Sequence, residues 1–102
     1  MEVNCNSLEQ VRATIDRIDR QLVTLLAERG TYVAAAARFK KTTDDVQAPQ
    51  RVEQVIVKVT ALSRELGADP RITEQVYRAM ISAFIQTELA EHAALNRGAN
   101  KP

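Results

Sequence analysis

Four basic side chains, Arg12, Arg29, Lys40 and Arg51, and one acid, Glu88, are the residues whose types and spacing can do chemistry here. On a helix each residue turns by about 100°, which decides where a side chain points. Along the first helical segment Val11, Ile15, Ile18 and Leu22 lie near the middle of an apolar stripe between about −20° and 80°. Arg29 falls at about 20° and Lys40 at about 40°, inside the stripe, with Arg12 at its margin near 120°. Glu88 falls inward on the last segment, between Phe84 and Leu95, and Arg51 edges the stripe of the middle segment beside Val52. An inward charge must meet a partner or neutralise. With Glu88 the one strongly inward acid, the set carries a surplus of about three cations. That surplus asks for an anion with two negative groups, because a guanidinium grips a carboxylate through two parallel hydrogen bonds. Other readings of the same charges stand beside this one. Long basic side chains snorkel to water; Asp16, Asp19 and Glu28 can neutralise their helical neighbours; and Glu88 can pair with Lys40 without any ligand.

Three helices must position these groups. Ser7-Leu8-Glu9-Gln10 is a capping box, in which the Ser7 oxygen accepts the Gln10 amide and the Gln10 side chain reaches back. Apolar residues from Leu8 through Leu26 to Ala36 then recur at three- and four-residue steps, predicting a helix over about 8–42. Gly30 weakens that helix by about 1 kcal/mol without ending it. A second helix is predicted from Pro49 to Leu66 with Gly67 as its stop. A third follows Asp69-Pro70 and carries Val76, Met80, Ile81, Phe84 and Ile85 inward before fraying near Asn96. Lys40-Lys41 and Asp44-Asp45 read as a solvated loop. No strand pattern or repeat occurs. The expected fold class is all-α in one domain, residues 1–102. A helix of about 35 residues is some 50 Å long, whereas a compact chain of this size is roughly 35 Å wide. A second copy, antiparallel and related by a twofold axis, covers the excess stripe. The alternative is a break at Gly30 and a monomeric four-helix bundle.

Composition narrows the classes further. Lys and Arg number 14 against 13 Asp and Glu, a formal charge of +1 that argues against a nucleic-acid or anionic-membrane binder. The longest apolar run, Tyr32 to Ala37, is far too short for a membrane span. The N-terminal residues lack a basic start followed by an apolar stretch, so a cytoplasmic location is expected. One cysteine, Cys5, and one histidine, His92, make neither a disulfide nor a zinc cluster, and no metal is expected. Cys5 has no activating partner for nucleophilic work, and His92 reads as a rim residue.

Val11 through Asp19, then Leu22, Leu25 to Arg29 and Lys40, resemble the first helix of the all-helical chorismate mutases. The spacing Arg-x16-Arg-x10-Lys is the specific part, and the resemblance continues through Ala48 to Val52 and from Tyr77 to Glu88. It implies an intertwined helical homodimer with two equivalent pockets. Arg29, Lys40 and Arg51 would come from one subunit and Arg12 from the other. The arginines would bind the two carboxylates of chorismate, with Val52 and Phe84 also lining the substrate. Lys40 and Glu88 would address the ether oxygen, and Arg29 would assist catalysis. Prephenate would form by a concerted rearrangement with no cofactor.

Departures from the family pattern sharpen the expectations. Many mutases carry glutamine at the position of Glu88, and a glutamate donates to the ether oxygen only when protonated. An apolar site beside substrate carboxylates favours protonation, while Lys40 opposes it. Ala48, Val52 and Phe84 are less polar than the typical bacterial pattern. That feature also resembles the isochorismate pyruvate lyases of salicylate biosynthesis, which share the fold and eliminate pyruvate. Chorismate mutase is the expected activity, the lyase the alternative, and a helical dimerisation module without enzymatic activity a second alternative.

Overall fold

A computed structural model describes residues 2–99, with side chains described as far as Leu95. The chain is helical throughout its regular elements: α1 Leu8–Ala37, α2 Thr43–Gln47, α3 Pro49–Leu66 and α4 Pro70–Ala99. No strand occurs among the described residues. The chain divides into two units, Met1–Val33 and Ala34–Pro102.

In Met1–Val33, the Ser7 hydroxyl accepts the Gln10 amide at 3.1 Å as expected. The Gln10 side chain, however, reaches past Ser7 to accept the Asn6 amide at 2.7 Å. The helix passes through Gly30 without interruption, which removes the four-helix alternative based on a break there. Its 30 residues correspond to about 45 Å. The apolar stripe is not covered: Leu8, Ile15, Ile18, Leu22, Leu25 and Leu26 keep between 42% and 61% of their surface exposed.

Helix α1 stops at Ala37 rather than near residue 42. Three successive tight bonds, from the amides of Arg38, Phe39 and Lys40 to the carbonyls of Ala35, Ala36 and Ala37, close it. Beyond them the expected solvated loop contains the one-turn helix α2. Thr42 caps it in a reciprocal box with Asp45: the Thr42 hydroxyl accepts the Asp45 amide at 3.1 Å, and the Asp45 carboxylate accepts the Thr42 amide at 3.2 Å. A helix this short cannot stand on hydrogen bonds alone. Val46, only 4% exposed, anchors it against α4. Ala48 then takes a left-handed conformation (φ 39°) that ends α2 and starts α3, at a cost of about 1–2 kcal/mol for a residue with a Cβ.

Helices α3 and α4 pack on one another. Gly67 at φ 80° closes α3, and its own amide and that of Ala68 both donate to the Ser63 carbonyl. Asp69 caps α4 as expected, accepting the Arg71 amide at 2.9 Å. Ile56 and Ile81 are buried. Ser63, also buried, satisfies its hydroxyl by donating to the Val59 carbonyl. At the surface Arg78 clasps the helices together, donating to both oxygens of Glu53 at 2.9 and 3.1 Å and to Glu74 at 2.9 Å. Those bonds hold the Glu53 carboxyl below the usual glutamate range. Helix α4, the third of the predicted helices, continues to Ala99, past the expected fraying near residue 96.

Candidate active site

Lys40 and Glu88, 48 residues apart in sequence, meet through a 3.0 Å contact between Nζ and Oε2. Lys40 reaches inward from the turn after α1, and Glu88 sits on α4 with only 8% of its surface exposed. A buried acid needs such a partner. An ammonium has three N–H donors, so this bond leaves Lys40 two more to offer an oxygen-bearing guest. Phe84, one turn before Glu88 on α4, is half-buried.

The other predicted residues are placed less closely. Arg51 is exposed in the first turn of α3 and makes no ion pair among the described residues. It lines an open groove of about 600 Å³ with Ala48, Pro49 and Asp45 among its walls. The Asp45 carboxylate is occupied by the backbone amide of Lys41, then that of Thr42, and both hold it below the usual aspartate range. Val52, half-buried, lines a smaller groove of about 280 Å³ whose other walls include Ile81, Ser82 and Ile85 of α4. Arg12 is exposed and Arg29 half-buried, both within Met1–Val33. His92 is half-buried on α4, and Cys5, a free thiol, is half-buried before α1.

Two features escaped the sequence reading. The Thr42–Asp45 box carried a recognisable signal, Thr-x-x-Asp before Val46, that was hidden by the charged residues around it. The Arg78–Glu53 clasp carried only half of one, since Glu74–Arg78 has helical spacing but Glu53 lies on another helix. Among the described residues no group of three or more His, Cys, Asp or Glu is placed to hold a metal ion, and no helix is long and apolar enough to cross a membrane.

A sequence profile of the family described as chorismate mutase type II matches residues 11–89. The chain belongs to that family. The matched span contains every predicted site residue, from Arg12 to Glu88. Among relatives, the chain is 33% identical over 86 residues to the isochorismate pyruvate lyase of Pseudomonas aeruginosa, covering 84% of this chain and 85% of that protein. It is 31% identical over 85 residues to the bifunctional chorismate mutase/prephenate dehydratase of Aquifex aeolicus, covering 79% of this chain and 24% of that one. Within the matched span the chain pairs Lys40 with a buried glutamate, Glu88.

Proposed function

We propose that this chain is a chorismate mutase, converting chorismate to prephenate without a cofactor. The observation that carries the reading is the Lys40–Glu88 contact at 3.0 Å inside the span shared with the type II mutases. In the rearrangement the ether C–O bond breaks as a C–C bond forms between the enolpyruvyl methylene and the ring; no atom leaves. The protein needs only to hold the folded reactive conformer and to stabilise charge growing on the ether oxygen. Lys40 supplies N–H donors there, and Glu88 supplies a second when it carries a proton. Arg29 and Arg51 take the substrate carboxylates, joined by the partner's Arg12 in an antiparallel twofold dimer, while Val52 and Phe84 form apolar walls. The uncovered stripe on α1 supports the dimer, since leaving so many large apolar side chains wet is unfavourable at about 25 cal/mol per Å². Sedimentation of the purified chain is expected to give twice the monomer mass, and a monomer at micromolar concentration removes the shared pocket.

A second reading is isochorismate pyruvate lyase, favoured by the name of the Pseudomonas aeruginosa relative and by the apolar Ala48, Val52 and Phe84. Incubation with each substrate, following prephenate and salicylate separately, decides between them. Prephenate from chorismate is the expected result; salicylate from isochorismate alone selects the lyase. If neither product forms and neither prephenate nor a bicyclic transition-state mimic raises the melting temperature, the dimerisation module stands instead. A ligand at a hundred times its Kd stabilises its protein by about 2.7 kcal/mol.

A further inference from the structure

We infer that Asp45 is a positioning residue, which holds Lys40 beside Glu88 by clamping the backbone that follows the lysine. The inference rests on the role proposed above for Lys40. Lys40 is the last residue of the tight turn leaving α1, its own amide donating to the Ala37 carbonyl at 3.1 Å. Immediately after it, the amides of Lys41 and Thr42 both donate to Oδ2 of Asp45, at 3.1 and 3.2 Å. The lysine is therefore held from both sides, by α1 before it and by the Asp45 carboxylate after it.

What the clamp is fastened to matters as much. Asp45 precedes Val46, whose side chain is 4% exposed and whose turn packs on α4. The Val46 amide donates to the Thr42 carbonyl at 3.2 Å, so turn, clamp and anchor form one unit. Glu88 also stands on α4. Both members of the Lys40–Glu88 pair are thus referenced to one helix, although the chain between them runs through α2 and α3. Bonds to an ionised acceptor are stronger than neutral ones, and the depressed titration of Asp45 keeps its charge in place down to acid pH. The adjacent Asp44, exposed and in the same turn, has no side-chain bond among the described residues. Nature of charge alone does not distinguish the two aspartates; the clamp does.

The test compares Asp45→Ala, Asp45→Asn and Asp44→Ala. The first readout needs no substrate: mass spectrometry after brief treatment with acetic anhydride, taking Lys41 as internal reference. Paired Lys40 is expected to acetylate more slowly than exposed Lys41, and Asp45→Ala to raise the Lys40:Lys41 ratio at least threefold. Asp45→Asn, which keeps an oxygen acceptor for the two amides, is expected to return the ratio most of the way, and Asp44→Ala to leave it unchanged. The second readout is turnover: Asp45→Ala lowers kcat about tenfold with KM changed less than threefold, and has no further effect in a Lys40→Met background. A labelling ratio unmoved by Asp45→Ala overturns the inference, as does an equal rise in Asp44→Ala. If Asp45→Ala loses its circular-dichroism signal, Asp45→Leu, of similar shape but with no acceptor for the two amides, carries the comparison, and an unmoved ratio in Asp45→Leu overturns it. A ratio that rises as expected in a protein with no turnover on either substrate upholds the clamp and refutes the enzymatic reading.

Discussion

Lys40→Met is expected to lower kcat of the proposed mutase by about 10²–10³-fold while substrate affinity survives. Methionine keeps an unbranched stem of similar reach and removes only the ammonium. A preorganised donor aimed at an oxygen that gains charge in the transition state is worth about 2.7–4 kcal/mol, whereas the arginines proposed to bind the substrate carboxylates are untouched. Loss concentrated in kcat rather than KM is the signature of a contact made in the transition state. The same substitution strands Glu88, 8% exposed, without its cation. Full burial of such an orphan costs about 3–5 kcal/mol; Lys40 is 25% exposed, so about 1–3 kcal/mol is expected in urea unfolding. Adding Glu88→Leu is expected to restore stability without restoring turnover, since replacing both partners by apolar groups removes the stranded charge. A Lys40→Met protein with unchanged kcat removes the proposed role of the pair.

The second large effect concerns pH. The Glu88 carboxylate accepts from the Lys40 ammonium. In the role proposed above Glu88 donates to the ether oxygen, which only the protonated acid can do. Activity is then expected to rise as pH falls and to decline on the alkaline side, as for a single required proton. Glu88→Gln is expected to flatten this profile to within about twofold between pH 5 and 8, because an amide N–H donates at any of these values. Its oxygen still accepts from Lys40, so folding is preserved. A pH profile of kcat for both proteins checks this; a native rate independent of pH assigns the ether-oxygen donor to Lys40 alone.

Much of this was written in local pattern. Apolar residues at three- and four-residue steps determine helices over most of α1, α3 and α4, and Pro49, Gly67 and Asp69-Pro70 punctuate them with backbone conformations only those residue types favour. The inward angle of Glu88 followed from the same periodicity, because helical phase depends on sequence distance alone. Lys40 lies beyond the end of α1 and reaches Glu88 from the turn instead. The end of α1 was not legible. Arg38, Phe39 and Lys40 are acceptable helix residues, and the helix stops because Thr42 and Asp45 cap a new turn that Val46 fastens to α4.

By itself, then, the order of residues determined the helical class and most of the stretches that form helices, since each depends on neighbours within a few turns. Tertiary structure decided that Lys40 meets Glu88 across 48 residues, that Glu53 rather than only Glu74 holds Arg78, and that Val52 shares its groove with Ile81 and Ile85. Those outcomes hinge on which helix faces are buried against each other, and burial is a property of the packed chain that no single segment contains.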